Sequence, residues 1–217
     1  MERLSWIYFL RHGESEANSN DNFFGHPKKI KLTDKGHEQA REIFQLLKKE
    51  KFDLIITSPF LRAWQTAKPF IDFHGKKIPV KVWSVGEFTY HALEKYLKIK
   101  NSRRWKLAHK YWERSDPDYR DGSGAETYRE FMGRIDRTRK KLEKSNFDKI
   151  LIVTHGYFIK HFIWRLLHQT KKIDHKTMTD AMRFSISTDA QNTALVRVAK
   201  IDGKLYVGEI DARHVRD

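Results

Sequence analysis

Three short segments place groups able to bind and act on an anion directly after apolar runs. Arg11-His12-Gly13 follows Trp6-Ile7-Tyr8-Phe9-Leu10, Ser58-Pro59-Phe60-Leu61-Arg62 follows Asp53-Leu54-Ile55-Ile56-Thr57, and His155-Gly156 follows Ile150-Leu151-Ile152-Val153-Thr154. Guanidinium groups present forked donors to phosphate or carboxylate oxygens, and imidazole serves as nucleophile or proton carrier near neutral pH. The chain has no cysteine, which excludes a thiol nucleophile, disulfides and thiolate metal sites. Covalent phosphoryl chemistry here therefore needs another nucleophile. The remaining histidines, among them His74, His91, His161 and His175, show no metal-ligand spacing, so no metal site is expected.

Arg62 carries an independent argument. Ser58 as N-cap and Pro59 at the first helical position predict a helix start, which puts Arg62 in the first turn. The helix dipole is positive there and disfavours a cation unless an anion is bound. A local rule broken in this way is what functional sites show. The whole chain leans in the same direction, with 43 Lys and Arg against 28 Asp and Glu, a net charge of +15. Its natural partners are therefore polyanions, whether phosphorylated metabolites, nucleic acid or an acidic membrane surface.

The elements that must position these groups are legible as buried strands and amphipathic helices. The three apolar runs read as strands covered on both faces of a parallel sheet, with Ile78 to Trp83 as a fourth. Ala40, Ile43, Phe44 and Leu47 recur at helical spacing after the N-cap candidate Thr33. Tyr128 to Leu142 and Phe158 to Leu167 repeat that pattern. Thr193 to Val198 and Leu205 to Ile210 flank Asp202-Gly203, a hairpin signal that predicts an antiparallel pair at the sheet edge. The fold class is α/β: a three-layer sandwich with a mostly parallel central sheet, flanking helices and one antiparallel edge. In such sheets ligands bind beyond the carboxyl ends of the strands, which gathers Arg11, His12, Arg62 and His155 on one edge.

At 217 residues a single domain over 1–217 is expected. Residues 89–123 differ in character, with clustered Tyr and Trp, many basic residues and the turn signals Asp116-Pro117 and Asp121-Gly122-Ser123-Gly124, and they read as an inserted helical cap. The apolar stretch Leu4 to Leu10 is too short to span a membrane and lacks a cleavage site, so a soluble cytoplasmic protein is expected.

Four motifs resemble those of the histidine phosphatase superfamily, which includes the cofactor-dependent phosphoglycerate mutases. They are Leu10-Arg11-His12-Gly13-Glu14-Ser15-Glu16-Ala17-Asn18, Leu32-Thr33-Asp34-Lys35-Gly36-His37-Glu38-Gln39-Ala40, Ser58 to Ala67, and Thr154-His155-Gly156. Their order is the family's, and they span most of the chain. The resemblance implies that His12 attacks phosphorus in line with the leaving oxygen and forms a phosphohistidine that water hydrolyses. It implies a neutral His12 whose second ring nitrogen donates to a carbonyl. Arg11, Arg62 and His155 would hold the non-bridging oxygens, and Asn18 would add a hydrogen bond or cap a helix. Glu87 stands at the family's place for the acid that protonates the leaving oxygen and then activates water, which requires a raised pKa; Glu94 is the second candidate. No cofactor or metal is implied.

Two basic features bear on the substrate. Lys95 to Arg114 holds eight Lys or Arg and one Glu, interleaved with Tyr96, Trp105, Tyr111 and Trp112. It reads as an amphipathic pair with solvated charges, as an electropositive lid, or as a nucleic-acid surface using Arg103 and Arg104. Where the family often has Gly then Asp, Gly25-His26-Pro27-Lys28-Lys29-Ile30-Lys31 carries lysines, which would add charge to any pocket the loop lines. The leading expectation is a metal-independent phosphatase acting on small, polyanionic phosphomonoesters. A phosphoglycerate mutase-type phosphoryl mutase is the alternative within the family. From another class comes a catalytically silent basic module binding nucleic acid or an acidic protein.

Overall fold

The computed structural model describes residues 3–170, 172–188 and 190–211, with the backbone alone for 209–211. Its centre is a six-stranded sheet of order β3-β2-β4-β1-β5-β6. The strands are β1 (Leu4–Arg11), β2 (Leu54–Thr57), β3 (Val80–Val82), β4 (Lys149–Thr154), β5 (Leu195–Ile201) and β6 (Lys204–Asp211). The first four run parallel; β5 lies antiparallel to β1, and β6 antiparallel to β5. Each strand expected from sequence is present, with bounds shifted by at most three residues. The β5–β6 turn places Asp202 at φ 49° and Gly203 at φ 79°, the left-handed pair that a two-residue hairpin requires.

Along β1 the side chains alternate between two cores, which explains why the run is apolar throughout. Ile7 and Phe9 join Ile56, Ile152, Phe131, Phe158 and Phe162 on one face, while Tyr8 and Leu10 join Ile43, Ile55, Phe70 and Val153 on the other. The helices are α1 (Glu16–Ser19), α2 (Asp34–Leu47), α3 (Leu61–His74), α4 (Leu93–Lys98), α5 (Asn101–Arg114), α6 (Tyr128–Glu143), α7 (Gly156–His168) and α8 (His175–Ser187). Helices α2 and α3 cover the second face, and α6, α7 and α8 the first. Thr33 caps α2 as expected, its hydroxyl accepting from Gly36 N–H at 3.0 Å.

One local expectation is corrected. Helix α3 begins at Leu61 with Phe60, not Ser58, at its N-cap, because the Ser58 hydroxyl accepts from Phe60 N–H at 3.2 Å and lies 2.8 Å from the His155 ring. Helix α8 was not read from sequence: it buries only Met178, Ala181 and Ser185, too small a stripe to stand out as a periodic signal. Among the described residues no helix is long and apolar enough to cross a membrane.

Candidate active site

Strand register assembles the site. Arg11 of β1 sits opposite Thr154 of β4, and Val153 of β4 opposite Thr57 of β2. The residues one step further, His12, His155 and Ser58, therefore leave the sheet side by side at its carboxyl edge. His12 N–H still donates to Thr154 O at 3.0 Å and Ser58 N–H to Val153 O at 3.0 Å, so the sheet fixes both backbones. The His12 and His155 rings end 5.1 Å apart.

The His12 ring is held in one tautomer. Its Nδ1–H donates to Gly13 O at 2.7 Å, and its Nε2 accepts from Arg62 Nε–H at 3.0 Å. Burial, reinforced by the Arg62 and Arg11 cations, holds its pKa well below the usual histidine value, so the ring is neutral with a lone pair on Nε2. His155 is 0% exposed and is kept neutral in the same way, by burial and then by Arg62. Its Nε2 lies 2.8 Å from Ser58 Oγ, and its Nδ1 has no hydrogen-bond partner.

The loop carrying His12 is clamped by residues that no reading of single motifs assigned. Gly13 N–H donates to Thr66 Oγ1 at 3.1 Å, Thr66 donates to Arg62 O, and Glu14 N–H donates to Gln39 Oε1 at 2.7 Å. Asn192 Nδ2 donates to His12 O at 3.1 Å. Gly13 and Gly36 face each other so closely that a Cβ on Gly13 would lie 2.5 Å from Gly36 O, and one on Gly36 would collide with Glu14 O. Thr66, Gln39 and Gly36 all belong to the quoted motifs, which was their only signal; Asn192 had none, since it reaches the loop only through tertiary packing.

The other expected residues divide by placement. Arg11, His12, Asn18, Arg62 and Glu87 all line one cavity of about 420 Å³, whereas His155 lies behind it. Arg62, buried in the first turn of α3, donates from Nη1 to Pro27 O at 2.8 Å. Burial lowers its pKa to about 10, opposed by the Glu87 carboxylate, so it stays cationic at neutral pH. Arg11 donates to Ala190 O. Asn18 uses its amide oxygen to accept from Ser15 N–H and Oγ–H at the start of α1, so any ligand contact falls to its nitrogen. Glu87 receives Phe88 N–H at 3.1 Å and Tyr157 N–H, near the start of α7, at 3.4 Å. Burial raises its pKa and prevails over the opposing effects of Arg62, these N–H groups and Arg11. Glu94 is exposed at the start of α4 and does not line the cavity.

The basic segments turn their charge elsewhere. The loop of residues 25–31 does border the cavity, but through Pro27 and Ile30; Lys28, Lys29 and Lys31 face solvent. Of the eight cations from Lys95 to Arg114 only Arg104 lines the cavity, and it donates to Tyr96 O, Ile99 O and Asn101 Oδ1. That arrangement also removes Arg104 from the nucleic-acid surface expected of it. Lys95 pairs with the buried Asp121 carboxylate, which also takes Ala92 N–H and the His91 ring, tying α4 to the segment before α6. The wall that α4 and α5 contribute is mainly aromatic, through Tyr96 and Trp105, with Tyr90 and Tyr157 beside them. Among the described residues no cluster of three or more His, Cys, Asp or Glu is arranged to hold a metal ion.

Comparison with known proteins identifies the family and the fold. Residues 7–200 match the family described as the Histidine phosphatase superfamily (branch 1). The chain is 26% identical over 170 residues to the adenosylcobalamin/alpha-ribazole phosphatase of Escherichia coli (strain K12), covering 74% of this chain and 78% of that protein. Its fold is like that of the alpha-ribazole phosphatase from Shigella flexneri, with a TM-score of 0.73, 22% identity and 96% of each chain covered. It also resembles a phosphoserine phosphatase from Entamoeba histolytica solved with 3-phosphoglyceric acid, with a TM-score of 0.69, 22% identity, and 96% and 98% covered.

Proposed function

The chain belongs to the histidine phosphatase superfamily, and from that premise we propose that it hydrolyses phosphomonoesters through a phosphohistidine on His12. The observation that carries this reading is the His12 tautomer: Nδ1–H is tied to Gly13 O, and the Nε2 lone pair is directed to the Arg62 guanidinium, where a phosphate would sit.

In the proposed reaction the ester phosphate enters beside Arg11 and Arg62, and Arg62 transfers its N–H from His12 to a non-bridging oxygen. Nε2 attacks phosphorus while the ester P–O bond breaks, and the leaving oxygen takes the Glu87 proton. Water then attacks the phosphohistidine, gives its proton to the Glu87 carboxylate and releases inorganic phosphate. Developing charge on the phosphoryl oxygens is met by the two arginines, with the His155 ring, hydrogen-bonded to Ser58, standing behind them beside His12. The step needs no metal, because cationic side chains supply the charge. Residues 89–123 act in this reading as a cover over the cavity within one domain.

The test is turnover of phosphomonoesters to inorganic phosphate in the presence of a chelator. Release of phosphate with water as acceptor supports the phosphatase. Return of the phosphoryl group to another hydroxyl would mark a mutase. Turnover that chelation abolishes, or binding of nucleic acid without any turnover, would overturn the reading.

A further inference from the structure

The net charge of +15 points to a polyanionic substrate, but the cavity wall points to a different body for the ester. Away from the phosphate cradle of Arg11 and Arg62, the cavity-lining cations among the described residues are Arg104 and Lys160. Arg104 donates to the backbone carbonyls of α4 and its C-terminal turn, and Lys160 donates to Ser185 O at 2.8 Å. A second phosphate or carboxylate would therefore have to compete with carbonyls for both, beside the buried carboxyl of Glu87.

What the wall offers instead is flat apolar surface. Phe60 stands at the entrance to α3, Tyr90 in the loop before α4, Tyr157 at the start of α7, Tyr96 and Trp105 on α4 and α5, and Ile186 on α8. Most of these rings are fixed from behind: Tyr157 stacks on Trp112 with an interplanar angle of 26°, and Tyr90 meets Tyr111 at 5.1 Å. Trp105 and Ile186 differ, being 55% and 73% exposed while bordering the same cavity. Large apolar side chains at the mouth of a pre-formed cavity mark a ligand surface more often than chance exposure does. A cavity of about 420 Å³ also exceeds what a three-carbon phosphoester fills.

Resting on the phosphatase reading, we propose that the substrate is a monophosphate ester of a ring-bearing alcohol, its planar, largely uncharged body lying against Trp105 and the tyrosines. Aromatic faces stack on any flat π-system without reading its edges, and tryptophan offers the largest face. Trp105 is on this account a specificity-determining residue. The ester oxygen still leaves as an alkoxide, so Glu87 keeps its role.

The experiment compares substrates with alkoxide leaving groups alone, so that leaving-group acidity does not enter. 2-(2-Naphthyl)ethyl phosphate and a nucleoside 5′-monophosphate are set against phosphoserine and 2,3-bisphosphoglycerate. The ring esters are expected to show kcat/KM at least about tenfold higher, the order of one stacking contact. Trp105→Ala should cut kcat/KM for the ring esters about tenfold more than for phosphoserine, through KM, and Trp105→Phe should restore most of the loss. Equal or higher kcat/KM for the bisphosphate, or a preference unaltered in Trp105→Ala, would overturn the proposal while leaving phosphatase activity standing. Absence of all turnover would instead strike the phosphatase reading. In that event calorimetric binding of the same four compounds decides the ring preference separately, a tighter ring ester supporting it and a tighter bisphosphate refuting it.

Discussion

At the scale of single residues, the site rests on pairs of titratable groups pushed apart by their surroundings. His12 is buried neutral beside two arginines, as the proposed nucleophile requires, while burial raises the Glu87 pKa and so favours its protonated form, as the proposed acid requires. Glu87→Gln is expected to lower kcat/KM for alkyl esters by roughly 10²–10³ and for aryl phosphates by less than about tenfold, since aryl oxides leave unaided. The comparison is made in kcat/KM because that quantity excludes hydrolysis of the phosphoenzyme. In the wild type, kcat/KM for alkyl esters should fall as pH rises through the raised Glu87 pKa, and the Gln variant should lack that limb. Stability gives an independent reading. A carboxyl with a raised folded-state pKa contributes stability below its unfolded value and loses it as pH rises through the folded value. Thermal unfolding at pH 7 should therefore show Glu87→Gln more stable than wild type. Equal slowing of both ester classes joined to an unchanged or lower Tm would remove Glu87 from the role.

At the scale of elements, what positions His12 is the contact between its loop and the starts of α2 and α3. Strands β1, β2 and β4 could be read because each is buried on both faces, and the placement of His12, Arg62 and His155 followed from strand ends alone. Asn192 could not be read: it holds His12 O from the loop before β5, a contact that only the antiparallel pairing of β5 on β1 creates. Ser58 was misread as a helix cap because the same hydroxyl suits a cap and a partner for His155, and sequence does not show which ring stands across the sheet. Gly36 lies in the Leu32 to Ala40 motif, and its close approach to the His12 loop is what requires a glycine there. Its Cα presses on the backbone of Glu14, so Gly36→Ala must push α2 off the nucleophile loop. This substitution is expected to destabilise the fold by about 1–3 kcal/mol and to lower kcat/KM as well, although residue 36 touches no substrate. Chemical denaturation and kinetics of the variant check both; full activity with wild-type stability would show that the close approach is dispensable.

At the scale of the whole molecule, charge and site are less closely linked than composition suggests. The excess of Lys and Arg is clear in sequence, yet its direction is set by tertiary structure. Lys28, Lys29 and Lys31 face solvent, Lys95 is held by Asp121, and Arg104 is turned onto carbonyls, so little of the excess charge is directed at the cavity. Periodicity identifies α5 as amphipathic but not which of its large apolar residues is left exposed at a cavity mouth, as Trp105 is. The proposed function thus rests on phosphoryl transfer to His12 at the sheet edge, and the further proposal on the rest of the cavity wall. The most direct measurement is rapid acid-free quenching of the enzyme during turnover of a ³²P-labelled phosphomonoester, followed by peptide mapping. The account predicts an acid-labile, alkali-stable label on the peptide containing His12, and, in His12→Ala, loss of the label with a fall in turnover of more than about 10³-fold. Steady turnover with no label on His12, or turnover retained by His12→Ala, would contradict it.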